Sequence, residues 1–205
     1  MKFQFDPAEL TKEKSLWDIF VASKKIKITK FNKIVLMLVA ILSGAYAFFL
    51  EENTSIILEK SRELSELGLT YSITILGFLI AGFTIFATLT KPELLLRMMD
   101  ETHKKTQLTY LKYNYFVFMR VFIFYLIVSS IFLFVIMFCS PNGIIPHIIR
   151  VLPQPILIKS IAIKASYVLL TCCISFLILL LKGFIYNIYS ITMNNLRWEH
   201  RELTK

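Results

Sequence analysis

The chain has 205 residues, 56% of them hydrophobic, with a mean hydropathy of +0.64 and a formal charge of +9. A composition this apolar excludes an ordinary soluble domain and is typical of a compact integral membrane protein. The positive charge does not indicate a nucleic-acid-binding protein, because the lysines and arginines are concentrated in alternate loops, as the positive-inside rule predicts for a membrane protein.

The chain opens with a polar segment, residues 1–33, which predicts a cytoplasmic amphipathic helix followed by a polybasic run. Ser15 and Asp18 form a capping-box pattern, and an apolar face that contains Trp17 comes next. Such a helix lies at the membrane surface or against the cytoplasmic ends of the spans. The polybasic run is interpreted as a topology signal whose lysines contact anionic lipid headgroups. The alternative interpretation is a docking site for an acidic partner or for nucleic acid. Its lysines are Lys24, Lys25, Lys27, Lys30 and Lys33.

Four long apolar runs predict an all-α integral membrane domain over residues 34–190. A helix rises about 1.5 Å per residue, so about 20 residues cross the roughly 30 Å hydrocarbon layer. In lipid every backbone amide must be bonded within its own segment, and these runs are therefore expected to be helices. The four predicted transmembrane helices are residues 34–50, 67–90, 115–139 and 161–182.

The distribution of lysine and arginine predicts that the N-terminus and the C-terminus are both cytoplasmic. Eighteen of the 23 fall in three stretches, residues 1–33, 91–120 and 182–205. The positive-inside rule places such stretches in the cytoplasm. The first connecting loop instead carries five glutamates between residues 51 and 66, as expected for the opposite side.

The second span carries a stripe of small and hydroxyl side chains at helical spacings of three and four. The stripe favours a helix-packing face, because small residues let helices approach closely in a membrane. The alternative is the lining of a polar path in a ring of subunits. The members of the stripe are Thr70, Thr74, Gly77, Ala81, Thr84 and Thr88.

Three cationic residues lie in or beside the third and fourth spans. Arg120 falls one or two turns into the membrane, where it is interpreted as a snorkelling side chain or a functional charge. Lys164 and Lys182 are separated by about 27 Å of helix, which suits snorkelling to both surfaces. Their helical face is a competing candidate for a pore lining. The third span is rich in phenylalanine and is expected to face lipid.

Residues 183–205 are predicted to extend the fourth helix into the cytoplasm, with Trp198 at or below the interface.

No arrangement of residues predicts an enzyme, a metal site or a cofactor site. The predicted spans contain no acidic residue, and the three histidines occupy three different segments without ligand spacing.

The run from Ile75 to Ala87, followed by Lys91-Pro92 in a chain with four predicted spans and both ends inside, resembles KwaA. KwaA is the membrane subunit of the bacterial Kiwa anti-phage defence system. The resemblance implies a multi-pass protein of the bacterial inner (cytoplasmic) membrane, in contact with the lipid bilayer. It also implies a homo-oligomer, taken as a tetramer, that responds to phage and works with the cytoplasmic protein KwaB.

The resulting hypothesis is a subunit that senses envelope perturbation and signals to a cytoplasmic partner, without binding nucleic acid directly. One alternative is a small oligomeric ion channel or pore-forming effector. A second alternative is a membrane anchor or assembly factor without activity of its own.

Overall fold

The computed structural model describes residues 5–26, 29–103, 106–140, 143–151 and 153–203. This part of the chain forms α1 (Leu16–Ser23), α2 (Lys30–Ala45), α3 (Thr54–Leu89), α4 (Pro92–Asp100), α5 (Tyr110–Phe138), α6 (Ile144–Val151) and α7 (Pro155–Leu203). A 3₁₀ turn, Pro7–Thr11, precedes α1, and a π-helical turn, Tyr46–Leu50, continues α2. Within these residues there is no strand, and an isolated antiparallel bridge joins Thr102 to Thr109.

Four helical segments are long and apolar enough to cross a membrane, and they confirm the predicted all-α class with four helices suited to spanning. They are Lys30–Leu50, Thr54–Thr88, Tyr110–Phe138 and Pro155–Asn194. The 36 residues of α3 measure about 54 Å and the 49 residues of α7 about 74 Å, so both exceed the thickness of the hydrocarbon layer. Residues 54–66, which precede the predicted second span, form the first turns of α3.

Local capping signals set several helix ends. The backbone N–H of Asp18 donates to Ser15 Oγ at 3.1 Å, and the N–H of Ser15 donates to Asp18 Oδ2 at 3.0 Å. This reciprocal pair is the predicted capping box, and it starts α1. At the other end of the second span, α3 ends at Leu89, and α4 begins at Pro92. Proline is suited to the first helical position, because the N–H that it lacks would have no partner within the helix there.

The chain divides into two compact units, to which α3, α5 and α7 each contribute residues. The first unit comprises residues 1–27, 77–124 and 180–205, and the second comprises residues 28–76 and 125–179. In the first unit the Phe83 ring is the centre of an aromatic cluster, with centroids 5.5–5.8 Å from Tyr115, Phe118 and Phe122 in edge-to-face geometry. Such pairs add to the stabilisation from buried area.

The third span, α5, is packed along one face, so the expectation that it faces lipid is wrong for that face. Phe118, Val121, Tyr125, Val128 and Phe132 are each at most 5% exposed and repeat every three to four residues. Phenylalanine contributes to both sides, because rings that fill a helix interface are equally suited to lipid contact. The exposed side of α5 contains Leu133, Phe134 and Met137.

In the second unit, α3 packs through a face of small residues that the sequence analysis did not single out. Ser61, Ser65, Gly68 and Ser72 are all buried and follow spacings of four, three and four. The Ser129 hydroxyl of α5 donates to Ser72 Oγ at 2.8 Å. Spacings of three and four among the serines and glycines of residues 54–72 would have revealed this face. Such small side chains allow the close approach that membrane helices need.

Candidate functional site

The predicted stripe on α3 lies on an exposed face of the helix. All six members, Thr70, Thr74, Gly77, Ala81, Thr84 and Thr88, are exposed. In the second unit Thr70 and Thr74 lie about 200° and 240° around the helix from the buried Gly68. In the first unit a Cβ built on Gly77 meets no heavy atom within 4 Å. The structure therefore places the stripe where no other described helix of the same chain covers it.

Two of the four threonine hydroxyls of the stripe, those of Thr84 and Thr88, are satisfied by their own helix. Thr84 Oγ1 donates to the carbonyl of Ile80 at 2.9 Å, and Thr88 Oγ1 donates to the carbonyl of Thr84 at 2.9 Å. Hydroxyls bonded in this way need no water and no partner side chain. This pattern favours a packing face over a polar path.

Arg120 binds the end of α1. Its Nη1 donates to the carbonyl oxygens of Ile26 and Ser23, the second at 3.5 Å. These carbonyls belong to the last turn of α1 and the turn that follows it, where helical partners are missing. Arg120 therefore has specific backbone partners inside the first unit, and it fixes the position of the N-terminal helix.

Two further contacts hold the N-terminal segment in the first unit. Lys112 Nζ donates to both carboxylate oxygens of Glu13, at 2.8 and 2.9 Å, and these side chains are only 13% and 16% exposed. Ile26 packs with Leu108 and Phe116 in a buried cluster. An ion pair this sheltered is costly to break, because the remaining charge would be left buried without its partner.

The outer face of α1 is apolar and cationic. Leu16, Trp17 and Val21 are 58%, 67% and 47% exposed. Lys24 Nζ lies 6.0 Å from the Trp17 ring centroid and 5.4 Å from that of Phe20, so the structure brings Trp17 and Lys24 together in a cation–π contact. The remaining described lysines of the polybasic run, Lys25, Lys30 and Lys33, are exposed, and Lys27 lies outside the described residues.

The C-terminal part of α7 presents a second exposed apolar surface in the first unit. Its large exposed side chains are Ile185, Tyr186, Tyr189, Met193 and Leu196. Lys91 forms an ion pair with Glu199, and this hydrogen bond raises the pKa of Lys91. Both side chains are well exposed, so the pair stabilises the fold only slightly. Trp198 belongs to the helical backbone of α7, and its side chain lies outside the described residues.

The first half of the candidate pore face on the fourth span contacts other segments of the second unit. Lys164 Nζ donates to the carbonyl of Glu51 at 3.3 Å. The hydroxyls of Ser160 and Thr54 lie within hydrogen-bond distance at 3.2 Å. These contacts direct the beginning of this face toward neighbouring segments of the same chain. Lys182, at the other end of the predicted face, is exposed.

The residues that the structure describes contain no group of three or more histidine, cysteine, aspartate or glutamate side chains that could hold a metal ion. Comparisons with protein-family models, with curated proteins and with solved structures give no match.

Proposed function

We propose that the chain is a membrane-embedded, non-enzymatic subunit of an anti-phage defence system, which senses envelope perturbation and signals to a cytoplasmic partner. It lies in the bacterial inner membrane with both termini in the cytoplasm. The resemblance to KwaA suggests the system, and KwaB is then the cytoplasmic partner. The observation that carries the proposal is the exposed apolar surface of α1, held in place by Arg120 and by Lys112 with Glu13.

In the proposed topology the first unit lies at the cytoplasmic end. Large apolar side chains exposed to water mark protein interfaces, and exposed lysines beside them suit a partner with acidic groups. Trp17 and Lys24 provide both features within about two turns of helix. Because α1 is already fixed before the partner binds, less conformational entropy is lost on binding.

Partner recruitment is expected to depend on the outer face of α1 and on the end of α7. The combined substitution Leu16→Ser, Trp17→Ser and Val21→Ser should reduce co-purification of KwaB at least about tenfold, because exposed aromatic anchors dominate interfaces. Deletion of everything after Asn194 should weaken it as well. The matched control is Leu10→Ser, which removes an exposed apolar side chain outside α1.

Membrane insertion should be unchanged in all three proteins, and fractionation of cell membranes measures it. If KwaB co-purifies equally well with the triple variant and with the truncated chain, the partner binds another surface.

The chain is also proposed to form a homo-oligomer, taken as a tetramer, through the stripe on α3. Gly77→Leu together with Ala81→Leu should convert the oligomer to a monomer, because side chains of this size prevent close helix approach. Size-exclusion chromatography with light scattering gives the mass. Gly183→Leu is the matched control, since a Cβ at Gly183 also meets no heavy atom within 4 Å. An unchanged mass in the double variant would remove the stripe as the interface.

A further inference from the structure

The second unit contains a cavity of about 710 Å³ between the beginning of α3, the end of α5, α6 and the beginning of α7. Most of its wall is aliphatic, with Leu58, Ile136, Ile149 and Ile163 contributed by the four helices in turn. A volume of this size is in the range of small-molecule sites. It is large enough for part of an amphiphile rather than for a single ion.

The charges in the cavity are mostly positive. Arg62, Arg150 and Lys159 line it, together with the carboxylate residue Glu66. The ion pairs of Lys91 with Glu199 and of Lys112 with Glu13 lie outside this cavity. The cavity therefore has more cationic than anionic groups available to a ligand.

One of these cations is incompletely satisfied. The Nε of Arg62 is buried and has no hydrogen-bond partner among the described residues. A buried N–H without an acceptor is unfavourable, and a phosphate oxygen is the acceptor that a guanidinium binds most strongly. Arg62 thus combines the charge, the geometry and the unfilled donor of a phosphate-binding residue.

We propose that this cavity binds an anionic phospholipid, with its phosphate group against Arg62, Arg150 and Lys159 and an acyl chain along the aliphatic wall. A zwitterionic lipid would add a cationic headgroup to a site that is already positive. A water-soluble phosphate would leave the aliphatic wall without a ligand. In the proposed topology the bound lipid belongs to the outer leaflet, but binding itself does not depend on the defence function.

Native mass spectrometry of the full-length protein in detergent tests the proposal, with phosphatidylglycerol and phosphatidylethanolamine as probes. Phosphatidylglycerol should be retained at least about tenfold more than phosphatidylethanolamine, because its headgroup is anionic overall, whereas the ammonium of phosphatidylethanolamine would be repelled by the three cations that line the cavity. Arg62→Gln with Lys159→Gln should remove that preference. Glu66→Gln should raise retention about two- to threefold, since it deletes the opposing charge. Arg197→Gln, which neutralises an exposed arginine outside the cavity, should change nothing.

Two additional measurements separate a lipid from a free anion. Inorganic phosphate at millimolar concentration should fail to displace phosphatidylglycerol, and Ala162→Phe should reduce retention by filling the cavity without changing its charge. Equal retention of the two lipids, displacement by phosphate, or a Glu66→Gln protein that binds no more phosphatidylglycerol would each overturn the proposal. The Glu66→Gln measurement tests the proposal even if the protein with both Arg62→Gln and Lys159→Gln fails to fold.

Discussion

Gly68→Ala is expected to lower the free energy of unfolding by about 1–3 kcal/mol, although glycine-to-alanine changes inside helices usually stabilise them. A Cβ at Gly68 would lie 2.5–2.8 Å from three carbons of the Phe132 ring. That ring is fully buried, at 0% exposure, so it has no space into which to move. The clash should outweigh the gain in helix propensity, which is about 1 kcal/mol.

Thermal unfolding in detergent, followed by circular dichroism, measures this effect. The matched control is Gly183→Ala on α7, where the new methyl meets no heavy atom within 4 Å and propensity alone should raise the unfolding temperature. Phe132→Leu in the Gly68→Ala background should recover part of the loss, because it withdraws the ring edge from the new methyl. An unfolding temperature of Gly68→Ala at or above that of the parent protein would show that α3 and α5 are packed less closely here.

Arg120→Met is expected to release α1 from the first unit while the membrane-spanning helices stay folded. The substitution keeps an unbranched apolar side chain but removes its donors, and it leaves the carbonyls of Ser23 and Ile26 without those partners. Hydrogen bonds to a charged group contribute about 1.5–3 kcal/mol each. Amide hydrogen exchange in α1 should therefore accelerate about 10- to 100-fold, since local opening sets its rate.

Hydrogen exchange with mass spectrometry reads α1 separately from the other helices. Arg150→Met, a substitution of the same kind in the second unit, should leave exchange in α1 unchanged. Lys112→Met should accelerate it as well, because Glu13 would lose its sheltered partner. If the Arg120→Met protein exchanges its α1 amides at the parent rate, apolar packing of Ile26 alone is sufficient to hold the helix.

Features set by near neighbours in the chain were predictable from the sequence. Hydropathy located the four spans, and Ser15 with Asp18 located the start of α1, because both signals involve residues within a few positions of one another.

Features set by distant residues were not predictable in this way. Small residues follow helical spacing on two sides of α3, and only the contact of Gly68 with the Phe132 ring decides which side is buried. The partner of Arg120 lies 94 positions earlier in the chain, at Ile26. The cationic cavity draws on four separate segments, so no single stretch of sequence shows it.

The two opposite sides of α3 have a consequence for how the protein responds to its surroundings. The fold of one subunit uses the side with Gly68, so the proposed association through the side with Gly77 would require no unfolding of the subunit. Such an association obeys mass action, and its extent follows the number of subunits per area of membrane. Under the proposed function, local crowding of subunits at a disturbed site of the inner membrane would then increase the fraction of subunits that are associated.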